Sequence, residues 1–375
     1  MFAIVSRSCL LASSILLLSG VSMAESIQVY FGTYTQGTSR GIYRADLDLK
    51  SGSLSAAKLV AETTNPSFLA LHPNGKWLYA VNETVEFEGE KSGAITGFLI
   101  DDSGNLHAIN QHSTRGGAPC HLAISRNGQF VLIANYVGGN VISLRLDKSG
   151  KIVGQASLQQ HEGSSQTARQ KTPHAHSIGL DPSQKFAFAA DLGLDQVVVY
   201  QFDAGSGKLK KHAVARVAPG SGPRHFLLHP KLPYAYVINE INSTLTSFGY
   251  DRATANLEPM QTVGTLPADF DGRNSTAELQ ITPDGRFLYG SNRGHHSLAM
   301  YAIDQETGRL RLLGHQSTLG KTPRNFNITP DGQFVLAANQ ESNTVAVFRI
   351  ASDGRLKSIG EPVAVPKPVC VEFRP

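Results

Sequence analysis

The chain is short of most features that mark the commoner function classes. It holds three cysteines and one tryptophan in 375 residues, and only Cys120 and Cys370 lie beyond the N-terminal leader. A disulfide framework and a Cys-x-x-Cys metal or redox site are thereby excluded. There is no His-Glu-x-x-His pattern, and no Gly-x-Ser-x-Gly elbow is expected, which argues against a zincin helix and an α/β-hydrolase serine. Gly314 with Gly320-Lys321-Thr322 has one residue too many for a phosphate loop and runs into Pro323, so it reads as an ordinary loop. No stretch sustains the 3.6-residue period of an amphipathic helix. The formal charge of +4 is spread along the chain without basic runs or interleaved aromatics, so nucleic acid is not expected as a partner.

What is present begins with the leader. Arg7 supplies a basic start, Cys9 to Val21 is apolar and small, and Ser22-Met23-Ala24 fits a small-residue cleavage site. The apolar part is about 13 residues, short of the roughly 20 that span a bilayer. Residues 1–24 therefore read as a secretory signal. Residues 25–375 read as a single domain, periplasmic or secreted, with no membrane association after cleavage. Cys9 heads the apolar run instead of following the cleavage point, so a lipid anchor is not expected.

The rest of the chain repeats. Pro73/Asn82, Arg126/Asn135, Pro182/Asp191, Pro230/Asn239, Pro283/Asn292 and Pro330/Asn339 share one nine-residue spacing inside units of about 50 residues. Such units are too small to bury a core alone and must stack. In the unit from Pro66, apolar runs at Ser67–His72, Trp77–Asn82, Ala94–Ile100 and Leu106–Gln111 are separated by Pro73-Asn74-Gly75 and Asp101-Asp102-Ser103-Gly104. Four short strands joined by turn chemistry make one antiparallel blade. The pattern recurs from Pro119, Ala175, Pro223, Thr276 and Pro323, giving six blades. Pro368–Pro375 supplies one further strand, and Gln28–Tyr34, Gly41–Asp48 and Leu54–Val60 supply three. The expected fold is all-β, a seven-bladed β-propeller closed by one C-terminal and three N-terminal strands, which removes open edges. Cys120 and Cys370 fall on non-adjacent units and one residue out of phase, so a disulfide between them is not expected.

The repeat also works as a ruler. Aligned on the proline that opens each blade, Ser67, Cys120, His176, Arg224, Ala277, Arg324 and Val369 are equivalent. One residue on come Phe68, His121, Ser177, His225, Glu278, Asn325 and Cys370, and after the nine-spaced Asn or Asp come Glu83, Tyr136, Leu192, Glu240, Arg293 and Gln340. A strand pair that starts and ends on one face brings these positions to one mouth of the channel. His176, Arg224, His225, Glu240, Glu278, Arg293 and Arg324 converge there from four consecutive blades, which a structural repeat does not require. The Asn and Asp series itself reads as turn-satisfying polar groups.

The motifs Pro173-His174-Ala175-His176-Ser177-Ile178, Gly222-Pro223-Arg224-His225-Phe226, Asn239-Glu240, Asn292-Arg293-Gly294-His295 and Pro323-Arg324-Asn325-Phe326 resemble the seven-bladed lactonase propellers. That family includes 6-phosphogluconolactonases and fungal carboxymuconate lactonising enzymes, and the resemblance covers the whole chain beyond the leader. It implies a carboxylic-ester hydrolase opening a sugar-acid lactone by metal-independent acid/base chemistry, with His176, Arg224, Glu240 and Arg293 catalytic. His174, His225, Glu278, Arg324 and Asn339 are the accompanying substrate-binding candidates. His or Glu can serve as base and acid, and Arg can stabilise an oxyanion or grip an acidic group bidentately. No cofactor is implied. His174, His176, His295 and His296 are possible metal ligands, but the neighbouring arginines disfavour a cation. Two other readings stay open: a muconate-type lactonising enzyme, and a non-catalytic propeller that binds an anionic ligand or a protein. The sequence says nothing of oligomeric state.

Overall fold

Short apolar runs separated by turn residues fold here into antiparallel hairpins, four strands to a sheet and seven sheets around a ring. The computed structural model describes residues 26–374, so the signal reading of residues 1–24 lies outside the described residues. Blade 1 joins the C-terminal strand Pro368–Arg374 to Ser26–Thr33, Gly41–Asp48 and Lys58–Glu62. Blades 2 to 7 open with the inner strands Leu69–Leu71, Pro119–Ile124, Ala175–Leu180, Pro223–Leu228, Thr276–Ile281 and Pro323–Ile328, and each runs outward in chain order. The expected fold and closure are both found. Some boundaries differ: the first N-terminal strand is Ser26–Thr33 instead of Gln28–Tyr34, the inner strand of blade 2 shrinks from Ser67–His72 to Leu69–Leu71, and the outer strand of blade 1 starts at Lys58 instead of Leu54. Leu54 makes only an isolated bridge to Leu47, because the Ser55 hydroxyl takes the Asp46 amide (2.9 Å) that a ladder carbonyl would otherwise accept. Among the described residues no helix is long and apolar enough to cross a membrane.

There is no single core. Seven apolar clusters fill the seven interfaces between neighbouring blades, one for each, including the closing interface where Val29, Phe31 and Val371 of blade 1 meet Phe334, Leu336 and Val345 of blade 7. Each blade thus buries both faces against its neighbours, as stacked units must. Tyrosines clip successive blades together. Tyr30, Tyr79, Tyr236 and Tyr289 each donate across an interface to the carbonyl of a turn glycine, Gly104, Gly150, Gly308 and Gly354, at 2.7 to 2.9 Å. Gly150 shows why glycine is needed there. Its φ of +82° lies in the left-handed region, and a Cβ would sit 2.5 Å from the Trp77 ring.

The nine-spaced Asn and Asp are structural. Asn82, Asn135, Asn292 and Asn339 donate to the carbonyls of Thr64, Thr114, Thr265 and Thr318 in the preceding inter-blade linker, at 2.7 to 2.9 Å. They fasten the end of each second strand to the chain that enters the blade.

Candidate active site

The position singled out by the repeat is a β-bulge. In blades 1, 3, 4, 5 and 7 the register of the inner strand skips one residue, and the skipped residues are Val369, Cys120, His176, Arg224 and Arg324. Blade 6 slips over Ala277 and Glu278. In a regular strand neighbouring side chains point to opposite faces, but a bulge re-aims the extra one. Arg224 and His225 can therefore both serve the channel: the Arg224 guanidinium reaches His225 Nε2 at 3.1 Å.

A cavity of about 190 Å³ opens at this mouth, lined by Glu83, Cys120, Tyr136, Arg169, His176, Glu240, Arg293 and Arg324. Glu240 is its centre. Its Oε2 accepts from Arg224 Nε (3.0 Å) and faces Arg293 (2.9 Å), its Oε1 accepts from Arg169 (2.6 Å), and His176 Nε2 lies 4.0 Å away. Burial pushes the Glu240 carboxyl up, but Arg293, Arg224 and Arg169 together outweigh it and bring it down to about 2. Glu240 is therefore a carboxylate at any neutral pH. Burial first, and then Arg224, push His176 well below the usual imidazole range, so it is neutral. The Cys120 thiol, 3.7 Å from His176 Nδ1, is pushed up by burial and is no thiolate nucleophile.

Arg324 differs from the other arginines. Among the described residues it makes no ion pair and no hydrogen bond, and its guanidinium lies 5.2 Å from the centre of the Tyr34 ring. Tyr34 in turn donates to both oxygens of Glu83 (3.1 and 3.0 Å), which lines the same cavity. Four arginines, Arg169, Arg224, Arg293 and Arg324, face two carboxylates, Glu83 and Glu240, an excess of two positive charges. Such a pocket favours an anionic ligand and disfavours a metal cation. Among the described residues no three His, Cys, Asp or Glu are grouped to hold a metal ion.

Next to the mouth, aromatic and imidazole rings from blades 2, 3 and 5 pack together. The rings of Phe68 and His121 lie 4.2 Å apart, and His121 and His225 lie 5.1 Å apart. His225 Nδ1 donates to Glu278 Oε1 (2.8 Å), Asn325 donates to Glu278 Oε2 (2.5 Å), and the Leu279 amide to Oε1 (3.0 Å). Burial lifts Glu278 to about 7 in spite of Arg224 and His121. His225 and Glu278 thus support Arg224 from beneath the cavity that Glu240 occupies.

Of the nine site residues expected from sequence, His176, Arg224, Glu240, Arg293 and Arg324 meet at the mouth, and His225 and Glu278 sit directly under it. The other two are not brought there. Asn339 is fully buried and bound to Thr318, and the Asn series as a whole fastens strands. His174 stacks on Tyr136 (ring centres 4.5 Å) and donates to its carbonyl (2.9 Å), so it backs the pocket wall instead of lining the cavity. Arg169 was not expected. It lies outside the repeat, on a short 3-10 turn, Ala168–Gln170, in the linker 161–174. The length of that linker beside the short 114–118 and 318–322 was the available signal. The letters Gly37-Thr38-Ser39-Arg40-Gly41 do spell a Gly-x-Ser-x-Gly, but they lie between two antiparallel strands of blade 1, with Ser39 buried against Thr33 Oγ1 (2.6 Å).

Comparison with known proteins agrees with this geometry. A family model described as "Lactonase, 7-bladed beta-propeller" matches residues 28–373. The 6-phosphogluconolactonase of Bacillus subtilis is 35% identical over 346 residues, covering 92% of this chain and 97% of its own. That of Formosa agariphila is 34% identical over 308 residues, 80% of this chain and 85% of its own. Among solved structures, a periplasmic gluconolactonase of Pseudomonas aeruginosa is 32% identical with a TM-score of 0.87, covering 93% of this chain and 99% of that one.

Proposed function

The chain belongs to the lactonase family of seven-bladed β-propellers, and on that premise we propose that it hydrolyses a sugar-acid lactone at the Glu240 pocket. The observation that carries the reading is one buried carboxylate framed by arginines beside the unpaired Arg324. Lactone opening needs an activated water, a counter-charge for the oxyanion and a proton for the departing ring oxygen. In our reading Glu240 takes a proton from water as the new carbon–oxygen bond forms, and returns it to the ring oxygen as the old bond breaks. His176, neutral and 4.0 Å from Glu240, orients that water. Arg293 and Arg324 flank the developing oxyanion, and Arg224 fixes Glu240. Atoms balance with no further reactant: water plus lactone gives the hydroxy acid, and no metal or cofactor enters any step.

The arginine excess favours a lactone that carries an acidic group. For location we favour the periplasm or the exterior, from the leader composition and the periplasmic relative. An exported enzyme would meet an unphosphorylated lactone more readily than an intracellular phosphate ester, so the acidic group that the arginines favour would there be a free carboxylate. The test is a panel of gluconolactone, its 6-phosphate and a carboxymuconolactone, offered to purified protein with the spontaneous rate subtracted. Turnover of the first or second supports the proposal. Turnover of the third alone would move the chain to the lactonising branch, and turnover of none would favour a ligand-binding propeller.

A further inference from the structure

Three guanidiniums converge on the one carboxylate of Glu240, and together they hold it down and make it a weak base. The three arginines on Glu240 are not alike. Arg224 and Arg293 are 4% and 15% exposed at the side chain and share Oε2, whereas Arg169 is 48% exposed and alone holds Oε1. Two cations are locked in the fold and one faces solvent. Among the described residues its only other side-chain partner is the Tyr136 hydroxyl, at 3.2 Å.

The backbone that presents Arg169 is itself firmly held. His161 at the start of the linker is buried between Asp191 Oδ2 and the Tyr200 hydroxyl, both at 2.6 Å. Ser165 donates to Asp195 (2.5 Å), and the buried Gln170 donates to the Leu192 carbonyl (2.8 Å). The linker is thus an ordered strap, and from it the long, half-exposed Arg169 side chain can change partners.

We propose that Arg169 is an exchangeable counter-ion which couples recognition of an acidic substrate to activation of Glu240. The inference rests on the lactonase reading of this pocket. In the free protein Arg169 masks Oε1. An anionic group entering the cavity competes for its guanidinium, and Oε1 is released beside the bound lactone. Glu240 is then left with Arg224 and Arg293 on Oε2 and with neutral His176, while Arg324 and Glu83 also line the cavity. With one cation fewer, the carboxylate becomes more basic once an acidic substrate is bound. A neutral lactone has no group to draw Arg169 away and reacts at the masked site. Arg169 therefore sets specificity through base activation as well as through binding.

The experiment compares wild type with Arg169→Gln on gluconolactone and on its 6-phosphate. Arg169→Gln is expected to raise KM for the acidic lactone about tenfold, the scale of one lost charge-assisted hydrogen bond, and to raise kcat for the neutral one. The pH profile supplies a readout that a structural role would not move. In wild type with the acidic lactone, the acid limb of kcat lies at higher pH than that of kcat/KM, because the first reports the complex and the second the free enzyme. In Arg169→Gln the two limbs draw together. Equal loss on both lactones, or unchanged limbs, would overturn the inference. Calorimetric titration with 6-phosphogluconate separates this inference from the lactonase reading itself. If no lactone is turned over but the acid binds wild type more tightly than Arg169→Gln, with proton uptake below pH 5, the coupling stands and the reaction assignment falls. Equal binding to both proteins would refute the coupling whatever the turnover.

Discussion

Replacing Glu240 by Gln keeps the shape and one acceptor but removes the negative charge that the surrounding arginines share. Arg224 and Arg293, at 4% and 15% side-chain exposure, would then face each other with no anion between them. Removing one partner of a buried ion pair costs about 3–5 kcal/mol, and the half-exposed pair with Arg169 adds about 0–1 kcal/mol. Because Gln still accepts a hydrogen bond, the lower end applies, about 3 kcal/mol. At roughly 2 °C per kcal/mol for a large domain, Tm should fall by about 6 °C. The emptied pocket should also bind anions better than wild type, where Glu240 already occupies the arginines. An anion at 100 times its Kd returns about 2.7 kcal/mol if it binds only the folded state, so saturating phosphate should restore most of the lost Tm in the variant and raise wild type much less. Differential scanning fluorimetry over a phosphate series measures both effects. An unchanged Tm, or equal phosphate shifts in the two proteins, would refute the argument that these arginines depend on Glu240 for their charge balance.

Arg324→Ala removes the one arginine of the pocket with no partner among the described residues, so KM for an acidic lactone should rise about 10- to 100-fold while stability stays near wild type, as steady-state kinetics and a thermal melt will show. Tyr236→Phe leaves the buried Gly308 carbonyl without its donor and should cost about 1–3 kcal/mol, read as a lower urea midpoint. Glu372 in the inner strand of blade 1 is lifted to about 7 by burial, against the one amide of Leu71 that it accepts. A carboxyl whose folded value exceeds its ordinary one stabilises fully below the ordinary value and loses that contribution as pH rises through the folded one. Stability should therefore decline between about pH 5 and 8, and Glu372→Gln should flatten part of that slope in urea titrations. Glu278, lifted to about 7 as well, keeps the remainder.

The fold was legible because a propeller repeats its turns. Pro or Arg at the first turn and Asn or Asp nine residues on mark the same hairpin in each unit, and the leftover strands at the two ends could only close the ring. The mouth was legible for the same reason: equivalent positions in equivalent units end at one face. Two features were not, and a third was read without its cause. Arg224 and His225 were expected together at the mouth, but strand alternation would have put them on opposite faces, and only the bulge, a matter of register, brings both to the channel. Arg169 belongs to the strap between blades 3 and 4, where no repeat supplies a ruler. The state of Glu240 depends on three guanidiniums arriving from separate segments, so its carboxyl value could not be read from its own neighbours in the chain. Asn339 and His174 show the converse, since polar residues close in sequence to the site were taken up by backbone carbonyls.

The central claim is that this pocket opens lactones through Glu240. The most direct measurement is the initial rate of gluconolactone and 6-phosphogluconolactone hydrolysis above the spontaneous rate, with wild type and with Glu240→Gln held below the variant's own melting temperature. We expect wild type to accelerate at least one of them and folded Glu240→Gln to leave both at the spontaneous rate. Acceleration that survives in folded Glu240→Gln would contradict the account.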